Sequence, residues 1–186
     1  MQPTLLIAPT ARPVTVDEAM FAARQDEPHW RPEVERAIDA AVQLLEHETS
    51  RRLMAQTWRY PLPGWPSAQD VLPEHQASTV AITYRSPAGV WETLNNTTFL
   101  WGPVPGGINI VPVMGQVWPE YAPDEFGHAV RVDITAGATT PAQVPAAAKH
   151  FVLGMVALKV PGQYGDDATK HEQYLLRALD PLRLYK

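Results

Sequence analysis

The 186-residue sequence predicts an α+β fold: a helical body of about four helices with a small antiparallel β-unit inserted into it. Three observations carry this. Apolar residues recur at spacings of three and four from Val34 to Leu53, a helical stripe. From Gln56 to Ala136 the apolar period is near two, in short segments separated by Pro and Gly. From Val144 onward the helical period returns. These changes of period divide the chain into an N-terminal arm and helical body over 1–55, a β-rich insertion over 56–140, and closing helices and tail over 141–186.

Residues 1–14 read as an extended arm, with Leu5, Leu6 and Ile7 between Pro3 and Pro9. Such an arm is an edge strand, a partner-docking segment, or a cover for the chain's own core, and the residues leave that choice open. Thr15 to Arg24 predicts a short helix, because Thr15 and Glu18 have capping-box spacing and acids suit the positive helix start. The longest helix starts at Arg31–Pro32, where proline loses nothing by lacking an N–H. Its stripe is Val34, Ile38, Ala41, Val42, Leu45, Thr49 and Leu53, which calls for a tertiary partner, since each large buried side chain contributes about 1.5–3 kcal/mol. Arg51 and Arg52 suit the negative helix end.

Gln56–Leu62 follows as a strand, then a proline-rich loop from Pro63 to Pro73. Ser78–Arg85 and Val90–Leu94 predict a hairpin around Pro87-Ala88-Gly89. Thr98–Trp101 and Ile108–Val113 predict a second pair joined by a longer loop, Gly102 to Gly107. Ala129–Ala136 alternates cleanly and ends at Gly137. Val144-Pro145 opens a third helix in which Gly154 permits close helix approach. Thr169 and Glu172 predict a capping box for a last helix, with Leu175, Leu176, Leu179 and Leu182 as its apolar positions.

Composition narrows the function. The net charge of −5 is uneven: residues 1–59 carry nine acids and seven bases, residues 60–148 seven and two, and residues 149–186 four and six. The middle holds nine of the sixteen aromatic residues. Gripping DNA phosphates requires clustered Lys and Arg, so this balance argues against it, whereas an acidic wall suits a passage that must not hold DNA. Prolines number 19, about twice the usual frequency of roughly 5%, and they punctuate short apolar segments. The chain has no cysteine, and no apolar run reaches the length of a membrane span. The N-terminus lacks the basic start and long apolar core of a signal peptide.

No motif for chemistry stands out, and no cofactor or metal is expected. Glu46-His47-Glu48 lacks the HExxH order and reads as a solvated helical face. Gly165-Asp166-Asp167 lacks an EF-hand continuation. None of the four serines sits in a GxSxG elbow, and Gly102–Gly107 lacks the endings of a phosphate-binding loop. A small hydrolase using Glu46, His47 or Asp166 is the weakest of the functional readings.

The order of elements is more informative. Pro13 to Ala19, Ala37 to Ala41, Arg52-Leu53, Gln56-Thr57-Trp58, Ile82-Thr83-Tyr84, Gly115 to Pro119, Val132 to Gly137, Val144-Pro145 and Leu182-Arg183-Leu184 together resemble the head–tail connector (adaptor) family of long-tailed bacteriophages. The likeness is to the subgroup with a β-rich insertion, similar to gene-transfer-agent adaptors. Two departures stand out: Ser50 replaces a glycine near the end of the long helix, and Lys159-Val160-Pro161 replaces an aromatic-plus-Arg ending after the third helix.

The resemblance implies a non-enzymatic virion protein at the neck, assembled in the host cytoplasm. It implies a homo-oligomeric ring, normally a dodecamer, below the portal protein and above a neck or tail-terminator protein, with genomic DNA passing through unbound. It implies portal contact by the tail, Leu182, Arg183, Leu184, Tyr185 and Lys186. On that reading Glu33, Glu35, Asp39, Glu46 and Glu48 become candidates for a subunit or lumen surface. Another neck, tail-completion or baseplate component is the alternative.

Overall fold

The computed structural model describes residues 2–160 and 168–183. The expected α+β class holds: four α-helices accompany an antiparallel five-stranded sheet and a two-stranded ribbon. The chain divides into two compact units, one of residues 2–8 and 55–137, the other of residues 9–54, 138–160 and 168–183.

The first unit is all β. Its strands are β1 (Thr4–Ile7), β2 (Gln56–Leu62), β3 (Ala77–Arg85), β4 (Trp91–Thr93), β5 (Phe99–Val104), β6 (Gly107–Pro112) and β7 (Val130–Ala136). The large sheet runs β1-β2-β7-β3-β4, antiparallel throughout, and β5-β6 forms the separate ribbon. The central strand β7 alternates strictly, with Val130, Val132, Ile134 and Ala136 buried and Arg131, Asp133 and Thr135 half-buried. Val132 stands opposite Tyr60 on β2 and opposite Ile82 on β3, so the buried faces of three strands coincide. Phe99, Ile108 and Ile110 of the ribbon close this core.

The polar face of the same sheet carries side-chain pairs. The Arg59 guanidinium grips Asp133 through two 2.7 Å bonds between directly opposed residues. Thr57 and Thr135 share a 2.8 Å hydroxyl bond, and the Arg131 guanidinium lies 3.5 Å above the Trp91 ring. Pro61 sits within β2 where β1 has already ended at the Arg59 register, an open edge that tolerates proline. The arm is therefore an edge strand and does not cover its own core: Leu5, Leu6 and Ile7 stay exposed.

The expected loop over Gly102–Gly107 is a correction. Both strands continue through it, and the turn is only Pro105-Gly106, with Gly106 at φ +91°. Proline followed by a positive-φ glycine is type II turn chemistry. Gly107 has a separate necessity: a Cβ there would lie 1.9 Å from the Leu72 carbonyl oxygen. Leu72 and Ile108 exchange two 2.9 Å backbone bonds at this point, which pins the proline-rich loop to the ribbon.

The second unit is helical: α1 (Val16–Ala22), α2 (Arg31–Thr49), α3 (Ala146–Lys159) and α4 (Ala168–Arg177). The capping box at the start of α1 is present, with the Thr15 hydroxyl accepting from the Glu18 N–H and the Glu18 carboxylate accepting from the Thr15 N–H at 2.7 Å. The α2 stripe buries Val34, Ala37, Ile38, Ala41, Leu45 and Thr49 against α1 and α3, and Thr49 bonds the Leu45 carbonyl at 2.8 Å. The α4 helix packs on α3, and Gly154 is what lets it: a Cβ there would meet Leu175 at 2.8 Å. Thr169 already lies inside α4, so it is not the cap that its spacing with Glu172 suggested; Glu172 instead approaches Lys159 at 3.8 Å.

The long helix also ends earlier than its apolar period predicts. It stops at Thr49, and Ser50 turns left-handed at φ +53°. Leu53 is buried outside the helix, and Arg51 and Arg52 lie beyond the helix end. The Leu53 N–H is received by the Glu46 carboxylate at 2.8 Å, so a side chain closes the passage that follows the helix.

Two predictions follow from these backbone positions. Ser50→Gly relieves a left-handed residue and is expected to raise thermal stability by up to about 1 kcal/mol, read as a higher melting temperature. Gly107→Ala is expected to lower it by roughly 2 kcal/mol or more, because the methyl group displaces the Leu72 carbonyl and opens the loop; unchanged melting would show that the approach is not tight.

Candidate interaction surfaces

The five acids expected at a subunit or lumen surface are all on α2, and each has a cation nearby. Glu33 pairs with Arg36. Asp39 receives two bonds from Arg12, at 2.8 and 3.0 Å, and Glu35 lies 3.6 Å from the same guanidinium. These two acids thus hold the segment before α1 against α2, and Asp39 raises the Arg12 pKa above its ordinary value. Glu46 is committed to the Leu53 N–H and approaches Arg52 at 3.7 Å, with only 13% of its side chain exposed. Glu48 accepts from Arg183 at 2.9 Å. His47 is exposed between them.

Of the tail residues, the structure describes Leu182 and Arg183. The Leu182 carbonyl accepts from Arg51 Nε at 2.7 Å, and Arg183 bridges Glu48 and Asp180. Both are therefore tied to the helical unit. Leu184, Tyr185 and Lys186 lie outside the described residues, as do Gly165, Asp166 and Asp167. Among the described residues no three His, Asp or Glu side chains gather in a way that could hold a metal ion, and no helix is long and apolar enough to cross a membrane.

The charge-poor, aromatic composition of the β-unit is that of a protein contact surface, and the structure shows where its exposed apolar groups and its aromatic cleft lie. Its turns are tightly bonded and carry bare apolar side chains. The Asp124–His128 turn closes with Gly127 N–H on the Asp124 carbonyl and Asp124 N–H on the His128 carbonyl, and Phe126 at its tip is 82% exposed. One Asp124 carboxylate oxygen accepts from the N–H groups of His128 and Phe126 at 2.8 and 2.9 Å. The Val113–Gln116 turn holds Met114 out at 97% exposure. Such rigid apolar tips have no role in the unit's own core.

The same unit holds a cleft of about 460 Å³ lined by Pro63, Trp65, Pro66, Asp70, Val71 and Tyr121. Its wall is built by stacking. Trp65 lies on Trp118 at 4.7 Å with rings nearly parallel, meets Tyr84 at 5.3 Å, and donates its indole N–H to the Pro119 carbonyl. Its floor loop is fastened: Asn109 Nδ2 donates to the Ala68 and Asp70 carbonyls, and the Asp70 carboxylate accepts from the Ser67 N–H at 2.7 Å. The Tyr121 ring lies where a Cβ on Gly64 would fall, 2.7 Å from the hydroxyl. The two Trp-Pro dipeptides, Trp65-Pro66 and Trp118-Pro119, are the sequence signal that marks this wall.

The backbone N–H of His128 first, and then that of Phe126, hold the Asp124 carboxyl below its ordinary pKa. A depressed carboxyl stabilises the fold fully above its unfolded value, about 3.9 for Asp, and loses that contribution as pH falls through the lower folded value. The exchange protection of the His128 amide is thus expected to persist below pH 4 and then collapse. Asp124→Ala should remove the protection at neutral pH, and a midpoint at the ordinary aspartate value would contradict the geometry.

No protein-family model matches this chain, and no curated protein matches it. Solved structures do. A chain in the neck of an empty GTA particle computed with C6 symmetry superposes with a TM-score of 0.76 at 18% identity, covering 100% of this chain and 97% of that one. A chain in the virion of a native gene transfer agent (GTA) particle gives 0.73 at 18% over the same shares. A chain in the neck of a native GTA particle computed with C12 symmetry gives 0.67 at 19%, again over 100% and 97%. Over its whole length, this chain carries the fold of chains from the neck and virion of a gene transfer agent particle.

Proposed function

We propose that this protein is a non-enzymatic head–tail adaptor that forms a ring, a dodecamer, at the neck of a phage-like particle. The ring joins a portal protein to a neck or tail-terminator protein and surrounds the path of the DNA. The observation that carries this reading is the full-length match of both the helical and the β-unit to chains of GTA necks, computed with C6 and C12 symmetry. A match confined to the helices would leave the insertion unexplained.

Surface chemistry supports it. Closed rings use heterologous contacts, which require two different patches on each subunit. Exposed Phe21 and Tyr174 on the helical unit, and the bare tips of the β-unit, supply apolar patches on both parts of the chain. The net charge of −5 suits a passage that does not retain DNA. In this reading Arg183 is an anchor point, held by Glu48 and Asp180, and Leu184, Tyr185 and Lys186 after it contact the portal.

The test is assembly. Purified protein, mixed with portal, is expected to give closed rings by electron microscopy and a mass of about twelve subunits by light scattering. Deleting Leu184–Lys186 spares Arg183 and its pairs, so the subunit should fold and form rings but lose portal docking. A monomer that never engages portal would sink the adaptor reading, and full docking by the truncated protein would sink the role of the tail.

A further inference from the structure

The charge of the β-unit is unusual once its pairs are removed. Residues 55–137 contain no lysine and three arginines. Each arginine is engaged: Arg59 with Asp133, Arg131 on the Trp91 ring, and Arg85 with the Pro123 carbonyl at 2.9 Å. Asp70, Glu92, Glu120 and Glu125 are exposed and form no ion pair with an arginine or lysine among the described residues. One of these, Asp70, lines the Trp65–Tyr121 cleft, and Glu120 is next in the chain to Tyr121.

The cleft also offers a donor. The Tyr121 hydroxyl has no hydrogen-bond partner among the described residues. Aromatic and proline side chains form an apolar trough, and its loop is locked by Asn109, Ser67 and the Leu72–Ile108 bridge before any partner arrives. An extended polyproline-type segment keeps its backbone carbonyls unpaired and its prolines ready to stack, so a rigid aromatic trough with a free donor fits it. A carboxylate at the rim selects a basic residue beside those apolar ones.

We propose that this cleft binds an extended, proline-containing segment of another protein that carries Arg or Lys next to its apolar residues. Trp65 and Tyr121 receive the apolar residues, Asp70 pairs with the cation, and the Tyr121 hydroxyl donates to a main-chain carbonyl. This stands apart from ring formation, because the cleft lies within one unit of one chain.

The test uses the full-length protein, ¹⁵N-labelled, titrated with the acetylated and amidated hexapeptide PLPRLP and with its counterpart PLPELP. The arginine peptide is expected to move the Trp65 and Trp118 indole resonances saturably. The glutamate peptide should bind about tenfold more weakly or not at all. Asp70→Asn keeps the oxygen that accepts the Ser67 N–H, so it should fold normally and weaken the arginine peptide about three- to fivefold, as for an exposed ion pair. Tyr121→Ala should abolish the shifts while the Val132 and Ile134 resonances stay in place. Equal affinity for the two peptides, or no saturable shift with the arginine peptide in the millimolar range, would overturn the proposal. Either result would leave the ring reading standing, since that is judged by assembly with portal.

Discussion

The two-residue period of β7 is the constraint on which the β-unit depends. Its buried set, Val130, Val132, Ile134 and Ala136, must face the same way as Tyr60 and Leu62 on β2 and as Val80 and Ile82 on β3. A slip of one residue would turn the whole set to solvent. The register that prevents this also decides the electrostatics of the other face. It places Asp133 opposite Arg59 and aims Arg131 at Trp91. Two of the unit's three arginines are thereby consumed inside the sheet. The acidity of its loops is thus a consequence of strand register as much as of composition.

The helical unit solves a different problem, that of closing helix ends. Its solutions are single side chains. Glu18 and Thr15 close the start of α1, and Glu46 closes the passage after α2. Arg51 then satisfies the Leu182 carbonyl, which fixes the last 3₁₀ turn to the end of the long helix. Gly154 gives up a side chain so that Leu175 can approach α3. These are local devices, and they leave Phe21 of α1 and Tyr174 of α4 exposed.

Much of this was legible in the sequence, and the misses have physical reasons. The bounds of β2 and the Thr15 capping box were readable because a change of period and a fixed side-chain spacing mark them. The Gly102–Gly107 stretch misled because Gly and Pro signal loops, yet a two-stranded ribbon, both of whose strands are edges, accommodates both. The long helix overran because Leu53 keeps the helical spacing while burying itself from outside the helix. The Thr169–Glu172 spacing gave a false cap, since the same spacing recurs inside helices. The partners of Asp39 and Glu48 could not be read because Arg12 and Arg183 are far away in sequence. The cleft itself was hidden for the same reason: Trp65 and Trp118, which stack in the structure, are far apart in sequence.

The direction of the carboxylate shifts bears on what these sites do. Glu18, Asp70 and Asp124 are all lowered, and in each the largest cause is a backbone N–H of a nearby residue. A general acid at neutral pH requires the reverse, a carboxyl raised by burial or by a like charge. These groups are instead spent on turn and helix geometry, and Glu46 is spent in the same way on the Leu53 N–H. Where such locks sit is also informative. Asp124 stiffens the turn that exposes Phe126, and Asp70 stiffens the loop that forms the aromatic cleft. Ordering a surface before contact lowers the entropy lost on binding. Carboxylates used this way brace an apolar-tipped turn and an aromatic cleft instead of taking part in proton transfer.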